Sequence, residues 1–352
     1  MYLDNGLTPP ERPAPGFAEI AGLSETAIIS ALGGVDDVSQ GSGSTFAPRW
    51  RKLDDLPATA DSYYVPNFLS PESVADTILR QMLINEVSWS TMSHRGGNVP
   101  RLVCVQADIT PDGWYPIYRH PVDSPIPTTH NFSASVRLLK LALESALGES
   151  FNHVLIQQYR SGDDAISEHA DKTIDLVPGS KIVNISLGAL RHMTFKRKRE
   201  KPIRKLNLPQ RANQLISLEH NSLLVVGSHT NSLWTHQIKP DRRPLSKKTD
   251  AEKAFDGTRI SLTFRSVATF ANNSNSNSPK LIYGGGASSH DRNAPATVLD
   301  PNSEDVQIRE SARAQAKKLL TSFAAENRLG EKFDWQKAYG RGFDICEFPP
   351  DV

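Results

Sequence analysis

His169 and Asp171 stand two residues apart in the segment ISEHAD. In extended chain, residues i and i+2 project to the same side, so this imidazole and carboxylate can meet one ion. With a further histidine they make a facial triad that holds non-haem Fe(II) and leaves positions open for a co-substrate and oxygen. The plainer alternative is a surface pair after the turn Ser161-Gly162-Asp163-Asp164, and among 10 histidines the spacing alone does not decide. Downstream candidates for the third ligand are His192, His220, His229 and His236. His192 sits beside Arg191 in an expected strand, while His220 and His229 adjoin turn residues. In SLWTHQI, Trp234, His236 and Ile238 alternate with Leu233, Thr235 and Gln237. A half-buried strand position on an inner face suits a ligand, which favours His236.

RISLTFR, Arg259 to Arg265, has an equally distinct pattern. Ile260, Leu262 and Phe264 form one face; Arg259, Ser261, Thr263 and Arg265 form the other. An edge strand with a solvated polar side would look the same. Yet two forked guanidiniums lie roughly 20 Å apart by strand rise and reach inward. Together they can bracket a small dicarboxylate, one carboxylate each, through bidentate hydrogen bonds. A dicarboxylate that works with Fe(II) and oxygen is 2-oxoglutarate.

The elements that must position these groups follow from periodicity. Ser70-Pro71 can open a helix with Val74, Ile78 and Met82 on one face. Ser133–Leu147 reads as a second amphipathic helix before Gly148, with Val136, Leu139, Leu143 and Leu147 inward. Short alternating or apolar runs then follow at His153–Tyr159, Lys181–Leu187, His192–Lys196, Asn213–Leu218, Ser222–Val226 and Arg259–Val267. The expected class is mainly β with flanking helices (α+β), a sandwich or barrel with helices over one sheet.

Composition sets the limits. The 352 residues have net charge +1 and two distant cysteines, Cys104 and Cys346, which suit neither a disulfide framework nor a cysteine metal site. No apolar run is long enough for a membrane span, and the amino terminus lacks a secretory pattern. Residues 1–60 carry 4 basic and 8 acidic groups with 6 Pro, 7 Gly and 5 Ser, and read as mostly disordered, with one short helix at Ser24–Leu32. Residues 61–270 carry 26 basic and 20 acidic groups and form the expected catalytic body. The run NNSNSNS, Asn272–Ser278, marks residues 271–302 as a polar linker. Residues 303–352 are expected to be a helical extension, with Ile308, Ala312, Leu319 and Phe323 on one stripe and Gly330 as cap; Trp335, Tyr339, Phe343 and Phe348 either pack on the body, the plainer reading, or belong to a separate binding module.

The stretches FNHVLIQQYRSGDDAISEHAD, VPGSKIVNISLGALRHMTF, NSLLVVGSHTNSLWTHQI and TRISLTFR, in this order and spacing, closely resemble the AlkB-like Fe(II)- and 2-oxoglutarate-dependent dioxygenases. Upstream, YYVPNFLSPESVADTIL and VPRLVCVQAD resemble the family's first helix and substrate lid, so the likeness covers roughly residues 62–268. It implies a double-stranded β-helix (jelly roll) core, with His169, Asp171 and His236 holding Fe(II). Arg259 would take the distal carboxylate of 2-oxoglutarate and Arg265 would serve near the metal-bound end. Tyr159 and Ser261 would face the co-substrate, and Gln157 stands where the family has Asn. The co-substrates implied are 2-oxoglutarate and O2, and the implied reaction is oxidative demethylation of an alkylated base.

Two features bear on the substrate. Nucleic-acid members often carry acidic residues after the metal Asp, where this chain has Lys172 and Thr173, with Asp175 further on. The expected finger loop, Ser90–Asn98, offers only Met92 and His94 as sizeable groups. Against this, Arg191–Lys205 holds eight Lys or Arg, among them Lys196, Arg197, Lys198 and Arg199, and Lys239–Lys248 adds Arg242 and Arg243. Such groups suit phosphate contact, or a solvated hairpin or nuclear-localisation signal. The expectation is an intracellular, nuclear or cytoplasmic monomer that contacts nucleic acid. The alternatives are an oxygenase acting on a small molecule or protein side chain, and a non-catalytic nucleic-acid binder.

Overall fold

Both faces of RISLTFR are buried or half-buried, because helices cover one side of its sheet and a second sheet packs on the other. The computed structural model describes residues 51–52, 61–69, 72–94, 97–122, 126–198, 211–272, 280–349 and 351–352. Along the chain these form β1 Arg51–Lys52, β2 Tyr63–Val65, β3 Ser93–His94, β4 Gly97–Asn98, β5 Leu102–Ala107, β6 Trp114–Pro116, β7 Thr129–Asn131, β8 His153–Tyr159 and β9 Ile166–His169. There follow β10 Ile182–Gly188, β11 Arg191–Arg197, β12 Asn213–Leu218, β13 Ser222–Val226, β14 Trp234–Ile238, β15 Arg259–Arg265, β16 Thr269–Asn272, β17 Leu281–Gly284 and β18 Ala296–Thr297. The major sheet has the order β1-β2-β13-β10-β15-β8-β5-β7, and a four-stranded sheet has the order β12-β11-β14-β9.

β15 runs antiparallel between β10 and β8, with Leu262 opposite both Ile185 and Ile156. Its apolar face, Ile260, Leu262 and Phe264, packs with Ile78 and Leu79 of the helix Glu72–Gln81 and with Val136, Leu139 and Leu143 of the helix Ala134–Leu147. Each such side chain contributes about 1.5–3 kcal/mol by leaving water. The longer helix stops at Gly148, whose φ of 64° admits the left-handed turn and whose N–H donates to the Glu144 carbonyl. On the other side of the major sheet, Tyr159, Ile182 and Leu224 meet Met193, Phe195, Trp234 and Ile238 of the smaller sheet. Two sheets over one core, with helices outside, are the layering of a jelly roll.

Three expectations change. β1 joins the sheet edge by pairing with β2, although the rest of residues 1–60, including Ser24–Leu32, lies outside the described residues, as does Ser70-Pro71. The stretch 271–302 is no linker throughout. β17 and β18 extend a third sheet, β18-β17-β16-β6, because Ala271 and Ile282 bury completely. In the C-terminal helix Val306–Leu329, capped by the Asp305 side chain, Ala312, Leu319 and Phe323 are buried but Ile308 is exposed. The helix and the tail after it share a core with Ile174, which ties them to the loop following Asp171. Among the described residues no helix is long and apolar enough to cross a membrane.

Candidate metal centre and anion pocket

β9 ends at His169, which lies opposite His236 on β14. Pairing across the ladder brings the rings to 4.4 Å between centroids. Asp171 follows β9 and places Oδ1 3.8 Å from Nε2 of each histidine. One ligand atom from each residue lies within 4.8 Å of the others, an arrangement that could hold a metal ion. His169 Nδ1 faces the Ser167 carbonyl at 2.7 Å, so the proton belongs there and Nε2 keeps its lone pair. The surface-pair alternative fails because Asp171 is only 3% exposed.

Asp171 is held from two sides. Its backbone N–H donates to Asn231 Oδ1 at 3.0 Å and its carbonyl accepts from Asn231 Nδ2 at 2.9 Å. Arg265 donates to Oδ2 through Nε and Nη2, at 3.0 and 2.7 Å, which leaves Oδ1 toward the imidazoles. Burial alone would raise the Asp171 carboxyl, but Arg265 and then the two histidines hold it well below the usual carboxylate range. Burial depresses both histidines, and for His169 the neighbouring His236 adds to this. Neutral imidazoles beside an ionised carboxylate are the protonation states a divalent ion requires. The other candidates are held elsewhere: His192 by Ser217 and Glu252, His220 by the Gly188 N–H, and His229 in the helix Ser228–Leu233, where its own N–H donates to Asp61.

The other end of β15 differs. Arg259 is completely buried and donates only through Nη2, to Ser186 Oγ at 2.7 Å and Asn184 Oδ1 at 3.3 Å. Nε and Nη1 are buried with no hydrogen-bond partner. Burial brings the guanidinium down to about 10, Tyr159 opposes this, and Arg191 adds to the depression. Tyr159 lies under both guanidiniums, 5.2 Å from Arg259 and 5.6 Å from Arg191. A cavity of about 60 Å³ is lined by Gln157, Tyr159, Asn184, Ser261 and Arg265 as well as the triad; Arg259 does not line it but contacts Tyr159 and Asn184, which do. A buried cation lacking a carboxylate is the donor set that fits an anionic oxygen ligand. Thus the donors fit 2-oxoglutarate and the triad fits Fe(II). The expectation of one carboxylate per arginine is amended, since Asp171 occupies the fork of Arg265.

The basic residues divide. Lys198 is only 5% exposed and donates to the Asn231 carbonyl at 2.9 Å, with burial lowering its amine to about 7, so it cannot serve as a phosphate contact. Arg191 is buried too, bound to the carbonyls of Ser161, Asp164 and Lys239. Lys196 pairs with Glu168 and Arg197 with Glu331. Arg242, bonded to Asp163, remains 78% exposed in its side chain, and Arg243 bonds to Asp241 and Glu252. Arg199 and the rest of the expected hairpin up to Lys205 lie outside the described residues.

The finger expectation also shifts. Met92 is buried against Val103 and Leu155, while His94 is exposed on the hairpin β3–β4. Lys172, Thr173 and Asp175 are structural: Lys172 binds the Ala170 carbonyl and Asn327, Thr173 binds Glu326, and Asp175 pairs with Arg119. Sequence reasoning missed Asn184, Ser186, Asn231 and Tyr118. The first two had a readable signal, polar residues two apart within the apolar run KIVNISLG. Asn231 and Tyr118 had none.

Comparison with known proteins adds the following. The model of the 2OG-Fe(II) oxygenase superfamily matches residues 61–265. A mouse (Mus musculus) protein named DNA oxidative demethylase ALKBH2 is 29% identical over 246 residues, 64% of this chain and 87% of that protein. The human (Homo sapiens) protein of the same name is 36% identical over 123 residues, 34% of this chain and 41% of that protein. Human alpha-ketoglutarate-dependent dioxygenase alkB homolog 3 is 29% identical over 207 residues, 57% of this chain and 64% of that protein.

Proposed function

Because this chain belongs to the 2OG-Fe(II) oxygenase superfamily, we infer that it removes methyl groups oxidatively from N-alkylated nucleic-acid bases, acting as a monomer inside the cell, in nucleus or cytoplasm. His169, Asp171 and His236 hold Fe(II). Arg259, with Tyr159, Gln157 and Ser261 nearby, binds the co-substrate, its free Nε and Nη1 taking the distal carboxylate. Arg265 orients Asp171. Bound to the triad, Fe(II) would supply the oxidising chemistry, in which 2-oxoglutarate and O2 give succinate and CO2 and one oxygen atom goes to the methyl carbon, released as formaldehyde. The protein's own part is to keep the carboxylate ionised and the imidazoles neutral, and to exclude water around a fixed geometry.

The observation that carries the oxygenase reading is the Arg259 guanidinium, buried with no carboxylate and with Nε and Nη1 unpaired, at one end of the strand whose other arginine grips the triad's aspartate. The nucleic-acid reading is supported by the names of the demethylase relatives and by the exposed arginines at 242–243. The test is formaldehyde and succinate release over methylated DNA, RNA and amino acids. Reversal of Lys196, Arg197, Arg242 and Arg243 to Glu should weaken nucleic-acid binding and flatten its salt dependence. Each lost phosphate contact removes roughly 0.7 to 0.9 from the log–log slope. If the wild type binds nucleic acid no better than this variant at low salt, and only amino acids release formaldehyde, the substrate is a protein side chain or small molecule.

A further inference from the structure

Asp171 lies beyond the last residue of β9, so no strand ladder fixes it. Residues 170–173 have no regular structure, yet Ala170, Asp171 and Lys172 are buried. The four backbone N–H groups of this segment all donate to side chains. Ala170 donates to Asn327 Oδ1 at 2.8 Å, Asp171 to Asn231 Oδ1 at 3.0 Å, Lys172 to the Tyr118 hydroxyl at 2.9 Å and Thr173 to Glu326 Oε1 at 3.1 Å. Buried backbone donors have to be paired, so these four side chains take the part that a neighbouring strand plays elsewhere in the sheet.

Two of the four, Glu326 and Asn327, belong to the end of the helix Val306–Leu329, outside the residues 61–265 that the superfamily model matches. Asn327 does more than satisfy one donor. The same Oδ1 accepts from Lys172 Nζ, which also donates to the Ala170 carbonyl at 2.6 Å. One oxygen thus gathers the residue before Asp171 and the residue after it. Glu326 Oε1 accepts from both the N–H and the hydroxyl of Thr173, and Oε2 accepts from the Tyr339 hydroxyl at 2.7 Å. Tying the chain down on both sides of Asp171 sets its backbone dihedrals, and these set where its carboxylate points before Arg265 grips Oδ2.

The helix is itself anchored. Ala312, Ala316, Leu319 and Phe323 form its buried face, and Glu326 and Asn327, at i+3 and i+4 from Phe323, continue that face. It packs with Ile174 and with Tyr339, Phe343 and Phe348 of the tail. Arg119 closes the far end of the loop: it pairs with Asp175 at 2.6 Å and donates to the carbonyls of Phe343 at 2.6 Å and Ile345 at 3.1 Å. The segment after the metal ligand is therefore joined to the C-terminal extension from Ala170 to Asp175.

We propose that Asn327, supported by Glu326, is a positioning residue for the metal ligand Asp171, so that the C-terminal helix completes the metal centre. The assignment rests on the reading of His169, Asp171 and His236 as the metal triad. Asn327 touches no ligand atom and acts only through the backbone it holds. Outer-shell partners of metal ligands are worth about 10- to 100-fold in metal affinity.

The test is metal binding by the full chain, titrated anaerobically with Fe(II) and, for its visible spectrum, with Co(II). Asn327→Ala removes the shared acceptor and should weaken both metals by about tenfold or more and alter the Co(II) spectrum. Asn327→Asp keeps an Oδ1 at the same place and should bind within about threefold of the wild type. Lys172→Met fills similar volume with no charge to bury and cuts the link between Asn327 and the far side of Asp171. It should weaken binding by about three- to tenfold. Urea unfolding of the metal-free protein establishes which variants are folded. Wild-type affinity and spectrum in Asn327→Ala, or a loss that Asn327→Asp does not rescue, overturns the assignment. If Asn327→Ala does not fold, Lys172→Met decides, and wild-type affinity in that variant overturns it. The triad reading fails separately: metal affinity unchanged by His236→Ala would place the ion elsewhere.

Discussion

The two ends of β15 carry the same residue type in two different electrostatic situations. At one end Arg265 is buried with its fork on Asp171 Oδ2 and its face on Tyr118, and its charge is neutralised within the protein. At the other end Arg259 is buried against Tyr159, Asn184 and Ser186, and none of its hydrogen bonds reaches a carboxylate. Burying a charge is tolerable when it is paired and expensive when it is not. Arg265 is therefore satisfied within the protein by Asp171, whereas Arg259 keeps a buried charge that an anionic ligand would offset.

The sharpest way to break this contrast is to remove the internal partner. Asp171→Ala should abolish Fe(II) binding and leave Arg265 buried and unpaired, at a cost of about 3–5 kcal/mol in unfolding free energy. Iron titration and urea unfolding read the two effects separately, and wild-type turnover in this variant would dismantle the metal assignment. The same pair has a pH signature. The folded Asp171 carboxyl is held below its ordinary value. Its stabilising contribution is therefore fully present above the unfolded value of about 3.9 and is lost as pH falls through the folded one.

Arg259→Ala tests the other end. Removing a desolvated, charge-assisted pair to a ligand should raise the apparent constant for 2-oxoglutarate roughly a hundredfold. In the ligand-free protein the same change removes an uncompensated buried charge, so stability should hold or rise. A large loss of stability with unchanged 2-oxoglutarate affinity would mean that Arg259 is scaffold after all.

Lys198 extends the comparison to a third buried cation, held by the Asn231 carbonyl next to the loop that braces Asp171. Its folded value of about 7 lies below that of an unfolded lysine. The unfolded chain therefore binds more protons across that window. Stability should rise as pH increases from about 7 toward ~10.4, by at most ~1.4 kcal/mol per unit. Lys198→Met should flatten that slope in urea unfolding followed at several pH values, and an unaltered slope would assign the proton to another group. The smallest effect is expected at Gln157, whose Oε1 accepts from the Tyr159 hydroxyl at 3.4 Å. Gln157→Asn should move the 2-oxoglutarate constant by no more than about threefold; a tenfold change would make it a principal ligand rather than a supporting one.

Much of this arrangement was legible in the chain. Alternation along a strand is a local property, so His169 with Asp171, the phase of His236 and the polar face of RISLTFR could all be read from spacing, as could the helix ending at Gly148. Other features were not local. Nothing near Lys198 distinguishes it from Lys196, yet one is buried against Asn231 and the other pairs with Glu168 in a half-buried contact. The strands at Leu281–Gly284 and Ala296–Thr297 are too short to announce themselves beside an Asn- and Ser-rich run. The partner of Arg265 stands 94 residues away, and Glu326 reaches Thr173 across 153. Residue order determined which groups share a face, because the pleat repeats every two residues. Only the packing of distant elements decided which buried charges are neutralised and which stay open, because a charge's partner is set by proximity in space.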